Sequence, residues 1–147
     1  MHGWLLIASG VLLVALLAVA ALVALPLRRR WLAREGGLFE CSVTAPGGGW
    51  TLGMARYNAE TLEWFPFFSY SLRPRKSFLR DEVRVVTSRD PDAAEALALY
   101  AGQRVVELEE RVPGAPDSRR WAIAMADDSL TGFLSWLEAA PPRPPRI

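Results

Sequence analysis

The side chains able to do chemistry in this sequence are one histidine, one thiol, a few carboxylates and a run of cations. His2 is the only histidine, and it precedes a long apolar run. The chain beyond that run therefore lacks Ser-His-Asp triads, Cys-His dyads, histidine general bases and the usual zinc ligand sets. Cys41 is the only cysteine, so no internal disulfide and no cysteine metal cluster can form, which fits a reducing compartment. Its alternation with Phe39 and Val43 predicts a buried strand position, and Glu40 beside it works against a thiolate. Glu107, Glu109 and Glu110, with Asp127 and Asp128, are the paired-carboxylate material. Two carboxylates divide acid and base roles when their surroundings separate their pKa values. Here Glu107 and Glu109 alternate with Val106 and Leu108 as the wet face of a strand does. The aspartates, with Ser129, stand where a helix N-cap and first turn want acceptors and negative charge. Gly47-Gly48-Gly49 leads into Trp50 with no Lys, Ser or Thr placed as a nucleotide loop needs, so it predicts a turn. No enzyme activity, cofactor or metal is expected.

The cations offer binding rather than catalysis. Arg73, Arg75, Lys76, Arg80 and Arg84 follow closely on an aromatic run, with Arg56 expected across the sheet. An anionic leaflet attracts such residues by about 1 kcal/mol each near the surface, so residues 73–84 are a candidate anion or lipid contact. The bland alternative is a solvated loop pairing with Asp81, Glu82 and Asp90. Trp64, Phe65 and Phe67 form a candidate partner groove, because Pro66 donates no ladder hydrogen bond and should bend the strand and open its edge.

The element that positions all of this is the apolar run over residues 4–27. As a helix it is about 36 Å long, against a hydrocarbon core of about 30 Å, so it spans with some tilt. Every one of the 17 basic and 16 acidic side chains lies after Leu27. Arg28, Arg29, Arg30 and Arg34 form a basic collar on the carboxyl side, which predicts an amino terminus outside and a cytoplasmic carboxyl-terminal domain at the inner membrane. Trp4 and Trp31 suit the two interfacial belts. A signal peptide cleaved near Ala18-Val19-Ala20 is the competing interpretation. It lacks a positive amino-terminal region, and its apolar stretch exceeds the usual length of about 7 to 15 residues. The near balance of basic and acidic residues makes no case for nucleic acid.

Roughly 110 residues remain, enough for one small domain. Strand-like alternation recurs at Phe39-Cys41-Val43, at Trp50-Leu52-Met54, from Leu62 through Pro66 to Leu72, at Val83-Val85-Thr87, and over residues 104–112 and 119–125. A short alanine-rich helix is expected over residues 93–101, stopped by Gly102. Leu130, Phe133, Leu134 and Leu137 recur at helical spacing before Pro141. The boundaries are a transmembrane anchor over residues 1–30, a linker over 31–37, a β domain over 38–140 with a helix over about 128–139, and a disordered proline-rich tail over 141–147. Six or seven strands in meander plus one amphipathic helix predict an antiparallel pleckstrin-homology-like barrel or orthogonal sandwich, plugged by that helix.

Trp50-Thr51-Leu52-Gly53-Met54-Ala55-Arg56-Tyr57, the aromatic run over residues 62–72, the arginine-rich stretch before Val83-Arg84-Val85, and above all Leu130-Thr131-Gly132-Phe133-Leu134-Ser135-Trp136-Leu137-Glu138 resemble a known family. It is a family of short, single-span actinobacterial membrane proteins defined as a domain of unknown function. The resemblance covers most of the chain, and residues 93–100 depart from it. It implies no activity to carry over. Similar proteins tend to be encoded beside the membrane ATP synthase, which the resemblance therefore implies as a candidate partner. The expected function is a non-enzymatic, membrane-anchored interaction or scaffold module for a membrane-associated protein, with anionic-lipid recognition through residues 73–84 as the alternative.

Overall fold

The computed structural model describes residues 2–34, 37–44 and 48–139. The chain runs as helix α1 (His2–Ala33), strands β1 (Phe39–Glu40), β2 (Ser42–Thr44), β3 (Gly53–Asn58), β4 (Thr61–Pro66), β5 (Lys76–Leu79) and β6 (Val83–Arg89), helix α2 (Ala93–Ala98), strands β7 (Gln103–Glu110) and β8 (Arg119–Ala126), and helix α3 (Asp127–Glu138). A long apolar helix is thus followed by a mainly β domain. The expected glycine turn falls partly, and the tail over residues 141–147 wholly, outside the described residues.

Helix α1 is long and apolar enough to cross a membrane. It does not give way to a linker at residue 31 but continues through Trp31 and Leu32 to Ala33. The cause is packing: Arg28 and Leu32, one turn apart on one face, are 5% and 0% exposed against the β domain.

The strands form two antiparallel sheets, ordered β1-β3-β4-β5 and β2-β8-β7-β6. β1 and β2 are one extended stretch that changes sheets at Cys41. Phe39 and Glu40 pair with Ala55 and Met54, and then Ser42, Val43 and Thr44 pair with Ala124, Ile123 and Ala122. The β3 side stays in contact, since the Cys41 and Val43 amides donate to the Gly53 and Thr51 carbonyls at 3.0 Å each. At the other margin β5 passes into β6 through a single 3-10 turn at Arg80–Glu82. Chain therefore joins the sheets at both margins, and their facing sides enclose one core.

Strand β4 stops at Pro66 rather than bending there and running on to residue 72. Proline has no amide hydrogen to carry the ladder further, and the Phe67 amide turns back to the Leu52 carbonyl at 3.1 Å. Phe68, Tyr70 and Leu72, expected on a strand face, are exposed instead.

The two-residue period of β3 and β4 sorts their side chains. Ala55, Tyr57, Leu62 and Trp64 face the main core with Cys41, Phe78, Val106, Leu108, Ile123 and Met125. The Trp64 indole N–H donates to the Cys41 carbonyl at 2.7 Å, so the largest core side chain is tied to the point where the strand changes sheets. Only glycine fits at position 53, where a Cβ would lie 2.4 Å from the Phe65 carbonyl oxygen and 2.7 Å from the Trp64 indole nitrogen.

Helix α3 closes one end of the domain. Leu130 and Phe133 are buried, and Trp136 and Leu137 pack beside them, whereas Leu134, expected in the plug, lies outside that cluster and is 37% exposed. Trp136 lies tilted against Tyr57 and donates its indole N–H to the Ala59 carbonyl at 3.1 Å, fixing the helix to the β3–β4 turn. Asp127 and Asp128 occupy the first turn, but the N-cap is Ala126 and no side chain caps it. They still meet the positive end of the helix dipole favourably.

Candidate functional site

The outward face of β3 and β4 is as apolar as the inward one at two positions, and these carry the helix. Met54 lies directly across from Phe65, and Arg56 across from Glu63. Met54 and Phe65 form a second buried cluster with Leu32 of α1, flanked by Leu38 and Phe67. Fully burying a leucine or phenylalanine side chain contributes about 1.5–3 kcal/mol, so Leu32 and Phe65, both 0% exposed, hold the helix end firmly.

Two arginines frame this seat. The Arg56 Nε donates to Glu63 Oε2 at 2.8 Å, and its Nη1 donates to the Leu32 carbonyl at 3.0 Å. That carbonyl is among the last four of α1, which have no partner within the helix, so a cation meets the negative end of the dipole and supplies a missing donor. Arg28, reaching down from the helix, donates through Nε to the Ser71 carbonyl at 2.6 Å and through Nη1 to the Pro66 carbonyl at 3.1 Å. The two guanidinium carbons lie 6.0 Å (Arg28) and 5.1 Å (Arg56) from the Phe65 ring centroid. Cation–π attraction of this kind grows with desolvation.

The candidate cations of residues 56–84 do not act together. Arg56 is buried in the seat. Lys76 is gripped by the Glu110 carboxylate at 2.7 and 2.9 Å and sits over the Phe78 and Trp121 rings. Arg80 bonds Glu60 and lies over Trp136, and Arg84 bonds Glu109. These partners are glutamates of β7 and of the β3–β4 turn, not the neighbouring Asp81, Glu82 and Asp90. Arg73 and Arg75 alone in this set are exposed with no ion pair among the described residues.

The candidate groove is filled rather than open. Trp64 points into the core between the two sheets and Phe65 into the helix seat, on opposite faces of β4, with Phe67 beside the seat. Of the collar, Arg29, Arg30 and Arg34 are exposed, while Arg28 is buried as a structural member of the seat. Trp4 and Trp31 are 74% and 44% exposed on the helix. The alternation of β3 and β4 carried the signal for this second cluster. Its two-sided pattern called for cover, and a helix beginning far away in the chain provides it.

Cys41, Glu107, Glu109 and Asp127, four of the side chains able to do acid, base or nucleophilic chemistry, have these surroundings. Burial pushes the Cys41 thiol up to about 12, so it is no thiolate at neutral pH. Glu109 accepts from Ser118 and Arg84, which hold its carboxyl below the usual range, Glu107 pairs with Arg89, and Asp127 lies near Arg104. No group of three or more metal-ligating side chains occurs among the described residues. What the arrangement does is bind: it fixes a helix to a sheet.

A family model described as a protein of unknown function, DUF2550, matches residues 13–143, nearly the whole chain. An uncharacterised protein of Mycobacterium leprae is 32% identical over 135 residues, covering 90% of each chain. Uncharacterised proteins of two Mycobacterium tuberculosis strains are each 33% identical over 135 residues, covering 88% of this chain and 89% of theirs. No solved structure matches.

Proposed function

This chain belongs to the DUF2550 family of proteins of unknown function, and from that footing we propose that it is a single-span membrane protein whose β domain is a non-enzymatic module held in one orientation for a membrane-associated protein partner. The observation that carries this is the helix seat. A flexible tether is enough to keep a domain near a bilayer. A fully buried Leu32, two Arg28 bonds to backbone carbonyls and an Arg56 bond to the helix end go further, because they fix how the domain faces the surface. Fixed orientation matters when one particular face must meet something else.

The membrane itself is inferred from α1, whose residues are exposed over most of its length although nearly all are apolar. The arginine collar supports an external amino terminus and a cytoplasmic domain at the inner membrane. A strand shared by both sheets, a meander returning to it and a terminal helix closing one end support the pleckstrin-homology-like description. β5 and β6, at the ends of their sheets opposite β1 and β2, are each paired on one side only, so their outer edges are among the places where a partner strand can add.

The test is crosslinking and affinity capture of the full-length protein from native membranes, comparing wild type with a Leu32→Ala, Arg28→Ala double variant. The proposal expects a partner crosslinked to the wild-type β domain and strongly reduced in the variant, at equal membrane content and with the barrel still folded. Equal capture by both removes the role given to the seat. A reporter fused after Ile147 and active only outside the cytoplasm reverses the orientation.

A further inference from the structure

Residues 67–72 leave β4 at Pro66 and run back alongside the helix. The Tyr70 hydroxyl lies 3.4 Å from the Ala21 carbonyl oxygen, and the Ser71 carbonyl accepts from Arg28 at 2.6 Å. Ala21 is seven residues before Arg28, which places Tyr70 about 10 Å further along α1 toward its apolar middle. On α1, Ala24 and Leu25 are half-buried, unlike the exposed turns before them, and with Arg28 and Leu32 they share one face at helical spacing. The loop therefore stands beside the last two turns of the apolar run, on the span side of the arginine collar.

Its composition suits that place and not water. Phe68 is 88% exposed, Tyr70 60% and Leu72 44%, three large apolar side chains at alternate positions that the described residues leave partly or largely uncovered. The loop also satisfies part of its own backbone: the Ser71 and Arg73 amides donate to the Ser69 and Ser71 hydroxyl oxygens, each at 3.2 Å. An irregular segment needs internal partners where water is scarce. Arg73, directly after Leu72, is exposed and unpaired among the described residues, as are Arg29 and Arg30 of the helix.

We propose that residues 67–72 form a second membrane contact, a loop that buries Phe68, Tyr70 and Leu72 in the headgroup and acyl boundary of the leaflet that α1 enters, with Arg73 and the collar arginines against anionic headgroups. The proposal rests on the reading of α1 as a membrane span. The depth agrees with that reading. The apolar run exceeds the hydrocarbon core by about 6 Å, and interfacial elements bury about 5–10 Å into this boundary. An exposed apolar loop beside a spanning helix is covered by the bilayer that covers the helix. Together the helix, seat and loop hold the barrel at two points, which fixes its tilt as well as its distance.

The test places a nitroxide spin label in the full-length protein at Phe68→Cys, and separately at Leu13→Cys in the middle of the span and at Leu97→Cys, 91% exposed on α2. Cys41 is buried and stays unlabelled. The protein is reconstituted in vesicles of phosphatidylcholine with a minority of phosphatidylglycerol. Collisions with oxygen, which concentrates in lipid, are compared with collisions with a neutral water-soluble nickel chelate. The expected oxygen-to-nickel ratio at Phe68 is several-fold above that at Leu97 and below that at Leu13. A Phe68 ratio equal to that of Leu97, with Leu13 in lipid, overturns the loop and leaves the span intact. Low access to both reagents at Phe68 means a protein covers it, and overturns the lipid assignment. A Leu13 ratio equal to that of Leu97 overturns the span, and the loop proposal with it.

Discussion

Strand β4 buries an aromatic on each face, and the two burials do different things. Trp64 faces the closed interior, where its neighbours are Cys41, Phe78, Val106 and Leu108, and its one polar atom is paired at 2.7 Å with the Cys41 carbonyl. Phe65 faces the helix seat, where two guanidinium groups approach its ring and a leucine from residues far earlier in the chain lies against it. The interior is neutral and self-contained. The seat is cationic at its margins and needs an element that the two sheets do not include. Burial alone therefore does not say what an aromatic is for; the charge and chain origin of its neighbours do.

Truncation on each face should separate the two. Trp64→Ala leaves a cavity in the main core and orphans the Cys41 carbonyl. It should cost about 3–5 kcal/mol, a large share of a small domain's stability, seen as loss of cooperative unfolding at ordinary temperature by near-ultraviolet circular dichroism. Leu32→Ala should cost about 2–5 kcal/mol at the seat, but as release of the helix from a β domain that remains folded. Amide exchange should rise at the end of α1 and along residues 67–72 while the slow amides of β7 and β8 keep their protection. Loss of protection throughout would mean that the seat is part of one cooperative core and that the contrast between the faces fails.

A smaller effect concerns the interior alone. Burial raises the Cys41 thiol to about 12, and burial with Cys41 nearby raises the Tyr57 hydroxyl to about 12. The unfolded chain releases these protons at about pH 8.5 and about pH 10, so it binds fewer protons than the folded one between those values and about 12. The stabilisation is complete below about pH 8.5 and is lost as pH rises toward about 12. Urea unfolding at rising pH should show a falling midpoint, and Cys41→Ala should flatten the fall at its lower end. An unchanged slope in that variant would place the alkaline sensitivity outside the thiol.

Much of the fold was legible. The uncharged run before Arg28, the alternations that became β3, β4, β7 and β8, and the spacing of Leu130 and Phe133 translate directly into elements, because a helix repeats at about 3.6 residues and a strand at 2. The site was legible only in outline. Arg28 reads as a collar arginine beside Arg29 and Arg30, and nothing local marks it as the one that turns inward. Arg56 and Lys76 read as candidate anion contacts, because their partners Glu63 and Glu110 are assigned by sheet register and by the meeting of the two sheets. The aromatic run reads as one long strand, and Pro66 decides where the pairing ends.

The sequence by itself determined an apolar helix of spanning length, a charged remainder with one buried thiol and no histidine, and the order of the β elements. These come from composition and period, which are local. Tertiary structure alone decided that Phe65 serves the helix rather than the core between the sheets, that Arg28 is buried while Arg29 is not, and that residues 67–72 stand beside the helix. Each of these depends on contacts between segments distant in the chain, and a rotation of α1 by one residue would have chosen a different arginine.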